Sequence, residues 1–217
     1  MSNIVTIGLY CEGATDERFL LSIIKRTFDE IAMECSSQLE VYYPERIPYI
    51  GGPFVEAVKK ATILAYKQGV MVLCVHTDAD DRNDRTAFQF KITPAFAAVE
   101  GPESCEVLVA VVPVRITEAW MLADIELLQE EIGNVAPQAI RSHHYPESEA
   151  DPKATIEEII RAALADRPRR QRGQLCIGDL YQPIGQKLAL SKLEKLGSYV
   201  KFKEEVRAAY RKLNYLS

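Results

Sequence analysis

Acidic side chains follow three apolar segments of the chain, each at the point where the segment ends. The segments are residues 3–10, 70–76 and 106–114, and the acids that follow them are Glu12, Asp78, Asp80 and Glu118. Carboxylates that lie close together repel one another unless a cation compensates them. Hard oxygen ligands suit Mg²⁺ or Mn²⁺, and one or two such ions support phosphoryl chemistry. The pattern therefore predicts a divalent-metal site.

Each acid also has a purely structural interpretation. Asp16 and Glu17 could complement the dipole of a helix that begins near them. Asp78, Asp80 and Asp81 could be turn residues whose carboxylates bond the local backbone. Only the joint order and spacing of the acids favours metal binding over these alternatives.

The hydrophobic pattern predicts the scaffold that would bring these acids together. Strands are predicted over 3–10, 39–43, 70–76 and 106–114. Helices are predicted from an N-cap at Thr15, over 54–68, over 85–99 and from Thr117 to Asp124. This alternation indicates an α/β fold with a mainly parallel four-stranded sheet flanked by helices. Sites in such sheets lie beyond the carboxyl ends of the strands.

Charge separates a front part of the chain from its end. The net charge is −5, with 12 Lys and Arg against 24 Asp and Glu in residues 1–152, and 14 against 7 in residues 153–217. Apolar residues recur at helical spacing in the basic part. We predict an α/β domain over 1–130, which carries the candidate catalytic acids, and a helical, basic extension over 131–217. Four arginines are candidates for nucleic-acid phosphate contacts, with a solvated loop as the alternative: Arg167, Arg169, Arg170 and Arg172.

Composition excludes several classes of protein. The chain has 217 residues, of which 47% are hydrophobic and 26% charged, which is typical of a globular protein. No apolar run reaches the roughly 20 residues of a membrane span, and no basic segment opens a secretory signal. Five cysteines without CxxC spacing favour a reduced, cytoplasmic protein. An oligomer is left open.

Two short motifs carry a resemblance to a known family. Residues 9–13 (LYCEG) form an apolar strand that ends in Glu-Gly, and residues 75–80 (VHTDAD) place a DxD after a later strand. This order resembles the TOPRIM domain of topoisomerases, primases and overcoming-lysogenization-defect type nucleases. With residues 118–124 (EAWMLAD) and 151–153 (DPK), the chain looks like the TOPRIM-like proteins of domain-of-unknown-function family 4276. Those are bacterial proteins, frequently encoded beside an ATPase and suspected of roles in phage defence.

The resemblance implies a role for each matching residue. Glu12 corresponds to the TOPRIM glutamate, which is a metal ligand in nucleases and a general acid or base in topoisomerases and primases. Asp78 and Asp80 correspond to the DxD metal ligands. Asp16 stands where the nuclease branch has a further ligand, although it is one methylene shorter than the usual Glu. Glu118 is implied as a further metal ligand. Lys153 is implied in stabilising the charge of the cleaved phosphate.

The resemblance implies a Mg²⁺- or Mn²⁺-dependent nuclease that acts on nucleic acid, with DNA ahead of RNA, and an ATPase partner. One alternative is a non-catalytic TOPRIM-like binding subunit. Another is a primase-like nucleotidyl transferase that uses the same acids. The chain has no GxxxxGK[ST] P-loop, so ATP hydrolysis by this chain alone is not expected. His76 is interpreted as an edge or buried histidine rather than a ligand.

Overall fold

The strands form one main parallel sheet and one small sheet. The computed structural model describes residues 3–133, 145–165 and 175–217. Within them the strands are β1 (Asn3–Val5), β2 (Ile7–Tyr10), β3 (Leu39–Val41), β4 (Glu45–Ile47), β5 (Val72–His76) and β6 (Val107–Val111). The main sheet has the order β4-β2-β5-β6, and every pairing in it is parallel. The predicted α/β fold with a parallel four-stranded sheet is confirmed.

The edge strand of the main sheet differs from the predicted one. The strand predicted at 39–43 is β3, which pairs with β1 in the separate two-stranded sheet. β4 takes the place beside β2 instead. Its sequence, Glu45-Arg46-Ile47, buries only the last side chain, so the hydrophobic pattern carries no strand signal there.

The strand predicted at 3–10 is divided at Thr6. The Thr6 hydroxyl donates to the Gly69 carbonyl at 2.7 Å and accepts from the Met71 N–H at 3.0 Å. The Thr6 carbonyl accepts from the N–H groups of Met71 and Val72. These bonds connect the segment that leads into β5 to Thr6, where the predicted strand divides. β1 belongs to the small sheet, and β2 belongs to the main sheet.

Helices cover both faces of the main sheet. They are α1 (Ala14–Ala32), α2 (Phe54–Lys67), α3 (Arg85–Ala87), α4 (Thr93–Ala97), α5 (Glu118–Met121), α6 (Ile125–Ile132), α7 (Pro152–Ala163), α8 (Tyr181–Lys187), α9 (Leu190–Leu193) and α10 (Gly197–Lys212). The predicted N-cap at Thr15 is wrong, because α1 begins directly after Gly13. A π-helical turn at Phe88–Ile92 joins α3 to α4. Such turns are frequent at functional sites.

Successive residues of β5 face two different hydrophobic cores, as the alternation of side chains along a strand requires. Cys74 belongs to the core that includes α1 and the C-terminal helices. Leu73 and Val75 belong to the core beneath α2 and α4. Burial on both faces explains why the first four residues of β5 are all apolar.

The C-terminal helices pack directly on the front part of the chain. A Cβ atom added at Gly185 of α8 would lie 2.5 Å from the carbonyl oxygen of Phe19 in α1, so the close approach of these helices requires glycine. The indole N–H of Trp120 donates to the Ser198 hydroxyl at 2.7 Å. The predicted helical C-terminal region is confirmed, while a domain boundary at 130 stays a prediction.

Two sequence predictions concern membranes and the basic loop. In residues 3–133, 145–165 and 175–217, no helix is long and apolar enough to cross a membrane. The four candidate phosphate-binding arginines lie outside the described residues, and they stay a prediction: Arg167, Arg169, Arg170 and Arg172.

Candidate functional site

A small cavity lies at the carboxyl edge of the main sheet. In the parallel register, Tyr10 at the end of β2 is paired with Val75, and His76 at the end of β5 with Val111. The segments that follow β2 and β5 therefore leave the sheet side by side. Between them is a cavity of about 140 Å³, lined by Glu12, Asp16, His76, Thr77, Asp78, Asp80 and Lys91. Four of the predicted site residues thus share one cavity.

Asp78 is held by the segment that follows β6. One oxygen of its carboxylate accepts hydrogen bonds from the Thr117 N–H at 2.9 Å and from the Thr117 hydroxyl at 3.2 Å. His76 Nε2 lies 3.5 Å from the same oxygen and 3.1 Å from the Thr117 hydroxyl. The orientation of Asp78 is therefore fixed before any ligand binds.

His76 is buried, as predicted, and is part of this cluster. Burial lowers its pKa, but the hydrogen bond and charge of Asp78, with the charges of Asp16 and Glu12, outweigh burial and raise the pKa above its usual value. The raised pKa favours the protonated form of the imidazole, which offsets part of the charge of the carboxylates. The four carboxylates of the cavity still outnumber its histidine and its lysine, so the cluster attracts positive charge.

Asp16 folds back over Gly13 at the start of α1. A Cβ atom at Gly13 would lie 2.1 Å from the Asp16 carboxylate, so any other residue at position 13 would displace that side chain. Burial raises the pKa of Asp16, and the charge of Asp78 adds to this effect, while His76 opposes it. Glycine at position 13 thus serves the placement of a carboxylate, a role that the Glu-Gly motif alone does not reveal.

Glu118 is buried next to the cluster and has a different partner. Its carboxylate accepts a short hydrogen bond from the Tyr181 hydroxyl of α8. Burial raises the pKa of Glu118, and the charges of Asp78 and Asp16 raise it further. Glu118 is therefore a buried neighbour of the cluster and is not among the lining residues of the cavity. Tyr181 lies 63 residues further along the chain, and no sequence signal connects the two.

Asp80 lies at the exposed rim of the cavity. Its φ is 54°, in the left-handed region, where non-glycine residues are uncommon and cluster at functional sites. Its N–H donates to the Arg115 carbonyl at 2.9 Å, and Arg115 itself has a φ of 65°. The loops after β5 and β6 thus hold each other in strained conformations beside the cavity.

Lys91 provides positive charge at the same rim. Its ammonium group lies 3.1 Å from the Thr77 hydroxyl and 3.4 Å from an Asp80 carboxylate oxygen. Lys91 belongs to the π-helical turn of Phe88–Ile92. Sequence reasoning missed it, because the pattern of residues 85–99 predicts only a regular helix.

The DPK segment contributes a helix cap and an exposed lysine. The Asp151 carboxylate caps α7 by accepting from the Ala154 N–H at 2.9 Å. Lys153 lies exposed in the first turn of that helix and is not among the lining residues of the cavity, and its role at the phosphate stays a prediction. Burial raises the pKa of the Cys11 thiol to about 12, and Glu17 and Asp16 add to this effect. Cys11 therefore stays protonated at neutral pH and is a poor nucleophile.

Comparisons with known proteins add nothing to the geometry of the site. The chain matches no protein-family model, no curated protein and no solved structure. The resemblance to TOPRIM proteins therefore stays a prediction that rests on the Glu12-Gly13 and Asp78-Ala79-Asp80 motifs.

The cavity has the donor chemistry for a hard divalent cation, but not a finished coordination shell. In the described ranges, no three acidic, histidine or cysteine side chains are already arranged as a metal-binding group. The oxygen donors that could complete one are Glu12, Asp16, Asp78 and Asp80, of which Glu12 and Asp80 are exposed. Because exposed side chains change rotamer readily, these two can close on an ion held by the fixed Asp78.

Proposed function

We propose that this protein is a Mg²⁺- or Mn²⁺-dependent nuclease that hydrolyses phosphodiester bonds of nucleic acid. The observation that supports this best is the cavity at the carboxyl edge of the sheet, where four carboxylates, a histidine and a lysine converge. Carboxylates favour a divalent cation, and a lysine beside them favours a ligand that is itself anionic. A phosphodiester satisfies both requirements.

Each residue then has a defined part in the reaction. Glu12, Asp16, Asp78 and Asp80 would hold the ion, which when bound supplies an activated water and charge stabilisation at the phosphate. Thr117 and His76 keep the Asp78 carboxylate in one orientation. Lys91 is placed to donate to a non-bridging phosphate oxygen from the rim. Glu118 and Tyr181 form a buried hydrogen-bonded pair next to the site.

A cleavage assay on the full chain tests this proposal. Labelled DNA and RNA, single- and double-stranded, would be incubated with Mg²⁺, with Mn²⁺ or with EDTA. We expect cleavage that requires the metal and that falls at least about 100-fold in Asp78→Asn. Asp29→Asn is the matched control, because Asp29 is in a partly buried ion pair with Lys25 on α1 and is not among the lining residues of the cavity. Cleavage that survives in Asp78→Asn would contradict the proposal.

A second candidate is a binding subunit that uses the same fold without catalysis. It is favoured by the hydrogen bonds that already occupy Asp78 and Glu118, and by the lack of a finished metal group among the described residues. Nucleic-acid binding that is equal with EDTA and Mg²⁺, together with no cleavage by the wild type, would favour this candidate.

Several further features are part of the proposal through the TOPRIM resemblance alone. These are a preference for DNA over RNA, an ATPase partner and a role in defence against phage. A cytoplasmic location is part of the proposal through the cysteine pattern. A primase-like activity would use the same acids, and incorporation of a labelled nucleotide would distinguish it from hydrolysis.

A further inference from the structure

A second, larger cleft lies on the other side of the loop that carries Asp78 and Asp80. Its volume is about 680 Å³, within the range of sites that hold small ligands. Its walls come from the loops after β5 and β6 and from the chain around the start of α10. The lining residues that matter here are Arg82, Asn83, Arg115, Tyr145, Glu147 and Lys201.

The acidic groups of this cleft already have partners within the protein. Glu147 accepts from the N–H groups of Gly197 and Ser198 at 3.1 and 3.0 Å, and from the Tyr145 hydroxyl at 2.9 Å. Asp84 forms an ion pair with Lys201 at 2.8 Å. The Lys201 ammonium also lies 3.4 Å from the centre of the Phe88 ring. Asp84 is therefore paired with a cation, while the Glu147 carboxylate is held in place by three neutral donors.

Two arginines of the cleft keep their charge available. Within the described ranges, neither the Arg82 nor the Arg115 side chain forms an ion pair, and Arg115 Nε is buried without any hydrogen-bond partner. A buried donor without a partner is costly, so the guanidinium is best satisfied by an anionic ligand. The Arg115 backbone is bonded to Asp80 and Asp81, which places this charge directly behind the metal-site loop.

We propose that this cleft binds a nucleotide unit of the nucleic-acid strand next to the cleaved bond. The phosphate would lie on Arg82 and Arg115, because arginine pairs with phosphate oxygens in a planar, two-pronged geometry. The base would stack on Tyr145, a residue that is 47% exposed and whose hydroxyl is already bound to Glu147. The nature of this ligand rests on the proposed nuclease function. The cleft would position the strand while the carboxylate cavity acts on its neighbouring phosphate.

Binding measured without cleavage tests this inference. A short fluorescent single-stranded DNA would be titrated with the full chain in EDTA, and the anisotropy followed over a series of salt concentrations. Arg82→Gln and Arg115→Gln should each weaken binding about tenfold. Removing both should lower the slope of log affinity against log salt by about 0.7, because both arginines contact the same phosphate and each neutralised phosphate of a single strand contributes about 0.7. Tyr145→Ala should weaken binding with the salt slope unchanged.

Controls separate this inference from the proposed function. Arg211→Gln is the matched variant, because Arg211 lies exposed at the end of α10 and donates to the Ser217 carbonyl; it should bind as the wild type does. Arg82 is exposed, so Arg82→Gln tests the cleft even if the strained position 115 does not tolerate exchange. Asp78→Asn should bind normally while losing cleavage.

The possible outcomes are distinct. Unchanged binding in Arg82→Gln and in the double variant would overturn the inference, while metal-dependent cleavage would leave the nuclease proposal standing. Weakened binding in a chain that never cleaves would support the cleft and contradict the nuclease. Binding of free dAMP as tight as that of the strand would overturn the assignment of the cleft to a strand.

Discussion

Asp78 and Thr117 are 39 residues apart in the chain, yet two hydrogen bonds from Thr117 converge on one oxygen of the Asp78 carboxylate. The Thr117 hydroxyl also contacts His76. One side chain from the segment after β6 thus connects two residues at the end of β5. This arrangement makes the candidate metal site depend on the pairing of β5 with β6.

Replacing Thr117 by valine should impair the site more than the fold. Thr117→Val keeps the shape of the side chain and the backbone bond but removes the hydroxyl from His76 and Asp78. We expect a loss of about 1–2 kcal/mol of stability and a 10–100-fold loss of metal affinity or cleavage. The measurements are denaturant unfolding and Mn²⁺ titration.

Thr27→Val is the control for this change. The Thr27 hydroxyl is buried and lies 2.8 Å from that of Tyr199, so the variant should lose a similar amount of stability without losing metal affinity. Equal metal affinity in both variants would show that Thr117 does not position Asp78.

Gly13→Ala should displace Asp16 while leaving α1 folded. The backbone at Gly13 has φ −98° and ψ 133°, which alanine adopts readily, and an alanine N-cap costs at most about 1 kcal/mol. The new Cβ would meet the Asp16 carboxylate, so Mn²⁺ affinity should fall about tenfold or more. Gly51→Ala, where a Cβ meets no atom within 4 Å, should keep wild-type affinity. A normal affinity in Gly13→Ala would exclude Asp16 as a ligand.

Lys91 should contribute to cleavage and not to metal binding. Lys91→Met removes the ammonium group that we place on the substrate phosphate, so the cleavage rate should fall about 100-fold while Mn²⁺ affinity is kept or improved. Lys59→Met, on α2 in an exposed pair with Glu56, should cleave normally. If metal binding is lost together with activity in Lys91→Met, the lysine has a structural role instead.

A site residue could be predicted from the sequence where its position follows from the segment of chain that carries it. The acids at positions 12, 78 and 80 follow apolar strands, and the parallel order of those strands brings the acids to one edge. Burial on both faces of β5 requires a run of apolar residues, and this run predicts a strand. These features are local in the sequence, so the pattern contains them.

The remaining features depend on distant partners or on irregular backbone. Tyr181 reaches Glu118 only because α8 packs closely on α1, through Gly185. Lys91 reaches the cavity from a π-helical turn. Because the apolar residues of this turn are spaced as in a regular helix, the sequence pattern does not reveal the turn. β4 buries one side chain of three, so it is held by its pairing with β2 and not by a hydrophobic pattern.

The ion pair between Glu34 and Arg207 predicts how stability changes with acid. Glu34 accepts from both Arg207 Nε at 2.8 Å and Nη2 at 2.6 Å, and these bonds lower the pKa of the carboxyl group. A lowered pKa in the folded state gives stability above the unfolded value of about 4.3, and this stability is lost as the pH falls through the folded value.

Glu34→Gln should therefore be less stable than the wild type at pH 7 and equal to it in acid. The pair is partly exposed, so the difference should be about 0.5 kcal/mol, closing as the pH falls below about 4. Urea unfolding at several pH values measures it. Glu103→Gln is the control, since Glu103 is exposed and has no ion pair within the described ranges. A difference that persists at low pH would contradict the assignment of this stability to the charge of Glu34.

The most direct test of the central claim is a calorimetric titration of the metal-free full chain with Mn²⁺. The account predicts saturable binding in the wild type and in Asp29→Asn, and its loss in Asp78→Asn with the fold intact by circular dichroism. The absence of saturable binding in the wild type, or its persistence in Asp78→Asn, would contradict a metal-dependent reaction at the carboxyl edge of this sheet.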